Sequence, residues 1–123
     1  MLKLCSFNCH SLKNSLPEVS SICDKNELVF LQETWLAKFE LSMLSNIHKD
    51  FLGLGTTAFD SSSSLLCGRP FGEVAIMWKK NLQPLIKVSV ISERIMQIDI
   101  LVGTSTISLL NVYLPTDYRD TES

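Results

Sequence analysis

No stretch of this chain approaches the roughly 20 consecutive apolar residues that span a bilayer. Its opening Met1-Leu2-Lys3-Leu4 has no basic region followed by a long apolar segment and cleavage site. The expectation is an intracellular, soluble protein, the nucleus included, with no membrane partner. Positive charge is also scarce: 11 Lys and Arg stand against 13 Asp and Glu, for a net charge of -2. That balance argues against a broad cationic face that meets phosphates, so any nucleic-acid contact must be local. Cys5, Cys9, Cys23 and Cys67 form no CxxC pair, which disfavours a zinc knuckle or a disulfide framework and favours reduced, mostly buried thiols. A soft metal corner from Cys5, Cys9 and His10 would lack a fourth ligand at sensible spacing. There is no Ser-His-Asp ordering, Walker loop or dinucleotide fingerprint, and Gly68-Arg69-Pro70-Phe71-Gly72 precedes a strand instead of a helix. What remains is 123 residues, 46% hydrophobic and 20% charged, enough for one globular domain or part of one.

Residues 3–7 read as a short strand in which Leu4, Cys5 and Phe7 suit a buried or half-buried position. Ser15 followed by Glu18 forms a capping-box pattern with Pro17 in the first turn, which predicts a helix over 16–24. Residues 28–31 are a continuous apolar run, the mark of a strand buried on both faces. Strand, helix, strand favours a parallel pair with a right-handed crossover. Both strand exits then share one end of the sheet, where open α/β sheets place their sites. Helical spacing of Phe39, Met43, Leu44 and Ile47 predicts a second covering helix over 39–47. Residues 51–58 read as a glycine-loosened strand and 60–69 as a loop. Strands over 74–78, 85–91, 95–102 and 107–113 follow at the spacing of an antiparallel meander.

Asn8 and Glu33 sit at the two strand exits. A carboxylate directly after a buried strand is held in a rigid frame and suits a hard cation such as Mg²⁺; the plain alternative is a strand-end charge that caps a helix or pairs with a surface lysine. A carboxamide at position 8 can orient a metal-bound water or a phosphate oxygen, or simply close a turn. Tyr113 can donate to a phosphoryl oxygen, or pack its ring and wet its hydroxyl. His10 lies near Asn8 and could touch substrate. His48 reads as a surface cap at a helix end, and Arg69 as a mobile phosphate contact or a plain loop charge.

Four segments carry a resemblance: Ser6-Phe7-Asn8-Cys9, Leu31-Gln32-Glu33-Thr34-Trp35-Leu36, Gly68-Arg69-Pro70-Phe71-Gly72-Glu73-Val74-Ala75-Ile76 and Asn111-Val112-Tyr113-Leu114-Pro115. Their order resembles the endonuclease/exonuclease/phosphatase family, and within it the apurinic-type endonuclease domains of LINE-like (non-LTR) retrotransposons. The resemblance implies an α/β (α+β) fold, a four-layer α/β sandwich of two mixed sheets with helices outside. It implies a hydrolase that cleaves phosphodiester bonds of DNA with Mg²⁺ or Mn²⁺. Glu33 and Asn8 match the family's metal-side residues, and Asn8, Glu33 and Tyr113 its catalytic residues. His10 and Arg69 would contact substrate.

The departures shape the expectation. The family carries an Asp-x-Asn pair, a further aspartate and a Ser-Asp-His segment after its tyrosine, whereas ten residues follow Tyr113 here. Glu73 also stands where the family usually has a second glycine beside Gly72. Residues 1–115 therefore read as the N-terminal part of such a domain, with 116–123 a polar tail at the truncation point. Such a chain is expected to be inactive alone and to leave an apolar sheet face open to a protein partner. The alternatives are a non-catalytic remnant acting as an interaction module, and a phosphatase-type member of the same superfamily.

Overall fold

The computed structural model describes residues 2–56 and 73–114; Cys67, Arg69 and the polar tail lie outside them. Strand β1 (Leu4–Asn8), helix α1 (Leu16–Lys25) and strand β2 (Leu28–Gln32) form the opening unit, and β1 and β2 pair in parallel with Asn8 opposite Gln32. Strands β3 (Phe51–Gly55) and β4 (Val74–Lys79) complete a first sheet of order β1-β2-β4-β3, in which β4 runs antiparallel to both neighbours. Strands β5 (Ile86–Ser92), β6 (Ile95–Val102) and β7 (Ser105–Val112) make a second, antiparallel sheet.

Alternation along β2 and β4 divides the interior into two cores. Val29, Leu31, Ala75 and Met77 face α1 and pack with Cys9, Leu12, Val19, Cys23, Leu36, Leu44 and Phe51. Leu28, Phe30, Val74, Ile76 and Trp78 face the second sheet and pack with Met96, Ile98 and Ile100. The central strands are therefore buried on both sides, each large side chain contributing about 1.5–3 kcal/mol by leaving water. The described residues build three layers: helical segments, first sheet and second sheet. None of their helices is long and apolar enough to cross a membrane.

Several expectations change. The meander begins at β5, because β4 belongs to the first sheet and a 3₁₀ segment over Lys80–Leu85 carries the chain between the sheets. The covering segment over Lys38–Asn46 is a 3₁₀ helix and not an α-helix. Leu41, Met43, Leu44 and Ile47 turn to the core and Phe39 is left 83% exposed. Gly53 and Gly55 let this segment lie directly on β3: a Cβ at Gly53 would stand 2.9 Å from Leu44 Cβ. β1 is an edge strand with Leu4 exposed and Phe7 half-buried.

The Ser15 capping box does not form. Ser15 Oγ instead bonds the carbonyls of Cys9 at 2.8 Å and Ser11 at 3.1 Å, tying the start of α1 to the loop after β1. His48 is no surface cap either. Its side chain is 11% exposed, Nδ1 accepts the Asp50 N–H at 3.1 Å, and Nε2 lies 2.7 Å from Asp24 Oδ1. It thus clamps the end of the 3₁₀ segment to α1.

The sheets are joined by a buried amide. Asn111 on β7 donates Nδ2 to the carbonyls of Leu31 at 3.1 Å and Ala75 at 2.7 Å, while its Oδ1 accepts from Gln32 Nε2 at 2.8 Å. Asn111→Ala would strand these groups in a dry interface, so it should lower stability by about 3 kcal/mol in urea denaturation. A loss below about 0.5 kcal/mol would show that the tie is dispensable.

Candidate active site

Parallel pairing brings the ends of β1 and β2 together, and antiparallel pairing brings the start of β4 to the same place, with Val74 opposite Gln32. β7 ends there too, since Tyr113 follows Val112 and its N–H donates to the Arg94 carbonyl at 3.0 Å. Four strand ends therefore meet around one carboxylate, that of Glu33.

The loops after β1 and β2 stay laced beyond the strands. Cys9 N–H donates to Gln32 O at 2.8 Å, Ser11 N–H to Glu33 O at 3.0 Å and Leu12 N–H to Thr34 O at 3.0 Å; Glu33 N–H donates to Glu73 O at 2.9 Å. Within that lacing His10, Ser11, Glu33 and Trp35 have positive φ, 49°, 89°, 54° and 55°. Non-glycine residues in this region cost of order 1–3 kcal/mol each and persist where neighbours enforce them. Here the enforcement comes from the cross-loop bonds.

The Glu33 side chain is 17% exposed and accepts from three donors: the Tyr113 hydroxyl, His10 and the Asn8 amide. His10 Nδ1 stands 3.2 Å from Glu33 Oε1. An ionised carboxylate can only accept, so this nitrogen carries the hydrogen. Asn8 Oδ1 accepts the His10 backbone N–H at 3.1 Å, which turns its amide toward Glu33. Burial pushes the Glu33 carboxyl up, but the bonds from Tyr113, His10 and Asn8, with the charge of the imidazole, outweigh it and hold the group below its ordinary value. The partner effect appears at Tyr113. Its bond to Glu33, then burial and the charges of Glu33 and Glu73, overcome the opposing Arg94 and push the hydroxyl up to about 12.

Asn8, His10, Glu33 and Tyr113 are thus brought together; Arg69 lies outside the described residues. The Cys5, Cys9 and His10 metal corner does not form. Cys5, Cys9 and Cys23 are free thiols, and Cys9 is buried, its thiol pushed up to about 12 by burial and by the Glu33 charge. Sequence reasoning gave no role to Ser6, Gln32, Trp35 or Asn111. Gln32 Nε2 donates to Ser6 Oγ at 3.0 Å as well as to Asn111, so a polar chain links β1, β2 and β7 just behind the site residues. The available signal was an asparagine on the inward face of an alternating strand. Glu73, the departure from the family pattern, is fully buried and braces Glu33 through its carbonyl.

A divalent hard cation keeps several waters and takes one or two carboxylates. Glu33, a carboxylate 17% exposed at the meeting of the strand ends, suits that role. Among the described residues no group of three or more His, Cys, Asp or Glu could hold a metal. A single carboxylate beside a carboxamide has the oxygen chemistry of a hard-cation site and lacks the nitrogen and sulfur set of a closed zinc cage.

Among solved structures, the chain is similar to the crystal structure of the AP endonuclease LMAP from Leishmania major, with a TM-score of 0.62 and 17% identity over 93% of this chain. The chain spans 40% of that protein's length. The likeness shows a distant AP-endonuclease-like fold, with the two sheets described above as a portion of its sandwich. No protein-family model matches the sequence, and no curated protein matches it.

The two shifts have opposite signs. Tyr113 contributes stability that is complete below 10.0 and is lost as pH rises through about 12. Glu33 contributes stability present above 4.5 and lost as pH falls through its lower folded value. Tyr113 and Tyr118 are the two tyrosines, so in a Tyr118→Phe background tyrosinate absorbance reports Tyr113 alone. The midpoint should lie near about 12, and Glu33→Gln should bring it toward 10.0. A midpoint near 10.0 before that change would show that Tyr113 does not donate to Glu33.

Proposed function

We propose that this chain is the first part of a divalent-metal-dependent phosphodiesterase, a DNA endonuclease domain of the apurinic type and of retrotransposon descent. The observation that carries the reading is the convergence of Asn8, His10 and Tyr113 on the Glu33 carboxylate. The likeness in fold to a protein described as an AP endonuclease supports it, as does the order of the four motifs.

In this reading Glu33 holds Mg²⁺ or Mn²⁺ with Asn8 beside it. When bound, such a cation would offset charge on the phosphoryl and leaving oxygens. The chain's own residues hold the frame. Tyr113, protonated at every physiological pH, is a donor and not a base. Its hydroxyl and the Asn8 amide keep Glu33 ionised and aimed, and the left-handed backbone at Glu33 keeps the carboxylate from swinging away. In the family that the chain resembles, activation of the attacking water falls to Asp-x-Asn and Ser-Asp-His segments, which the 123 residues do not include, and groups that act as a unit lose far more than additively when some are missing.

Two outcomes test this. Titration with Mn²⁺, followed by water-proton relaxation, should show binding that Glu33→Ala removes. The 123-residue chain should not nick supercoiled plasmid in Mg²⁺; turnover abolished by Glu33→Ala would overturn the proposed inactivity.

A second reading, an interaction module, has one observation in its favour. β7 is the edge of the second sheet, carries no charge or proline, and exposes Ile107, Leu110 and Val112. Strands of this kind invite a protein partner. Failure to bind Mn²⁺ would favour it.

A further inference from the structure

We propose that His10, backed by Trp35, is a base-stacking subsite that takes an unstacked nucleobase of a DNA strand beside the Glu33 carboxylate. The identity of the ligand as DNA rests on the reading above; the subsite rests on its own geometry. The His10 side chain is 76% exposed, yet two contacts hold its ring and a third holds its backbone. Nδ1 meets Glu33 Oε1 at 3.2 Å, the backbone N–H donates to Asn8 Oδ1 at 3.1 Å, and the Trp35 ring lies against the imidazole with centroids 4.7 Å apart and planes 58° apart. Both residues occupy left-handed backbone that the laced loops enforce. An exposed side chain ordinarily keeps its rotamer freedom. This one has already lost it, so a ligand that stacks there orders little more.

The scarcity of positive charge points the same way. With a net charge of -2, affinity cannot come from a broad basic face. Stacking on an aromatic ring needs no charge and tolerates any base. His10 offers that ring at the mouth of the site, where a strand whose phosphate approached Glu33 would present its base.

The chain has two histidines, His10 and His48, so ring-proton NMR resolves the question in the intact protein. Oligothymidylate of about ten nucleotides, added in EDTA, should move the His10 ring resonances upfield. An abasic deoxyribose-phosphate strand of equal length should not. His48, 11% exposed and paired with Asp24, serves as the internal control and should stay in place. His10→Ala should weaken oligothymidylate binding about ten-fold while His10→Phe retains it. Equal shifts with the abasic strand would mean a phosphate contact only, and no His10 shift would mean no subsite; either overturns the proposal. Because EDTA removes divalent cations, the result is independent of whether Glu33 holds a metal.

Discussion

The Asn111 amide, buried between the sheets, is the contact on which the geometry of the site depends. The hydrophobic gain from side chains such as Phe30, Ile76 and Ile98 between the sheets is non-directional, so it drives the sheets together without by itself naming one register. A buried amide cannot slide, since each unmade bond costs the desolvation of a polar group. By bonding Leu31 and Ala75 carbonyls and Gln32 at once, Asn111 sets β7 against β2 and β4 in one register. Tyr113, two residues further, then reaches Glu33, one residue beyond Gln32. The network explains why the motif segments contain more than the groups that face the site. Ser6, Gln32 and Asn111 fix the strand ends from which Asn8, Glu33 and Tyr113 project.

The second constraint is backbone strain. Positive φ at His10, Ser11, Glu33 and Trp35 concentrates cost at one end of the sheet. The cross-loop bonds from Ser11 to Glu33 and from Leu12 to Thr34 extend the parallel pairing past its regular end and impose those angles. The result is a carboxylate that faces inward to three donors instead of outward to water. A relaxed loop would let Glu33 hydrate, and its lowered proton affinity and the raised one at Tyr113 would disappear together.

What could be read from the sequence follows from the range of the forces involved. Glu33 was legible because a fully apolar four-residue run is a buried strand, and the polar residues after it must emerge at the sheet end. The parallel pair, the helix over α1 and the three strands of the second sheet were legible for similar local reasons. The Gln32–Asn111 bond was not, because it joins residues 79 positions apart and neither has a distinctive neighbourhood. The covering segment winds as 3₁₀ where helical spacing predicted a stripe of Phe39, Met43, Leu44 and Ile47, and of these only Phe39 is left out of the core. The Ser15 and Glu18 pattern was locally sound but lost to the carbonyls of Cys9 and Ser11, which tertiary packing placed nearer.

Charge scarcity and site architecture are two sides of one arrangement. A basic groove binds phosphates through long-range attraction and tolerates imprecise geometry, because Coulomb energy falls slowly with distance. A chain with a net charge of -2 lacks that latitude. In the function proposed above, selectivity would instead come from short-range groups already in place: a shielded carboxylate, a protonated hydroxyl, a fixed carboxamide and an anchored ring. Each needs a rigid support, which here is supplied by backbone lacing and by the Asn111 amide. Glu73, fully buried, braces Glu33 through its carbonyl and adds to the upward push on the Tyr113 hydroxyl, so the frame and the electrostatics of the site rest in part on one residue.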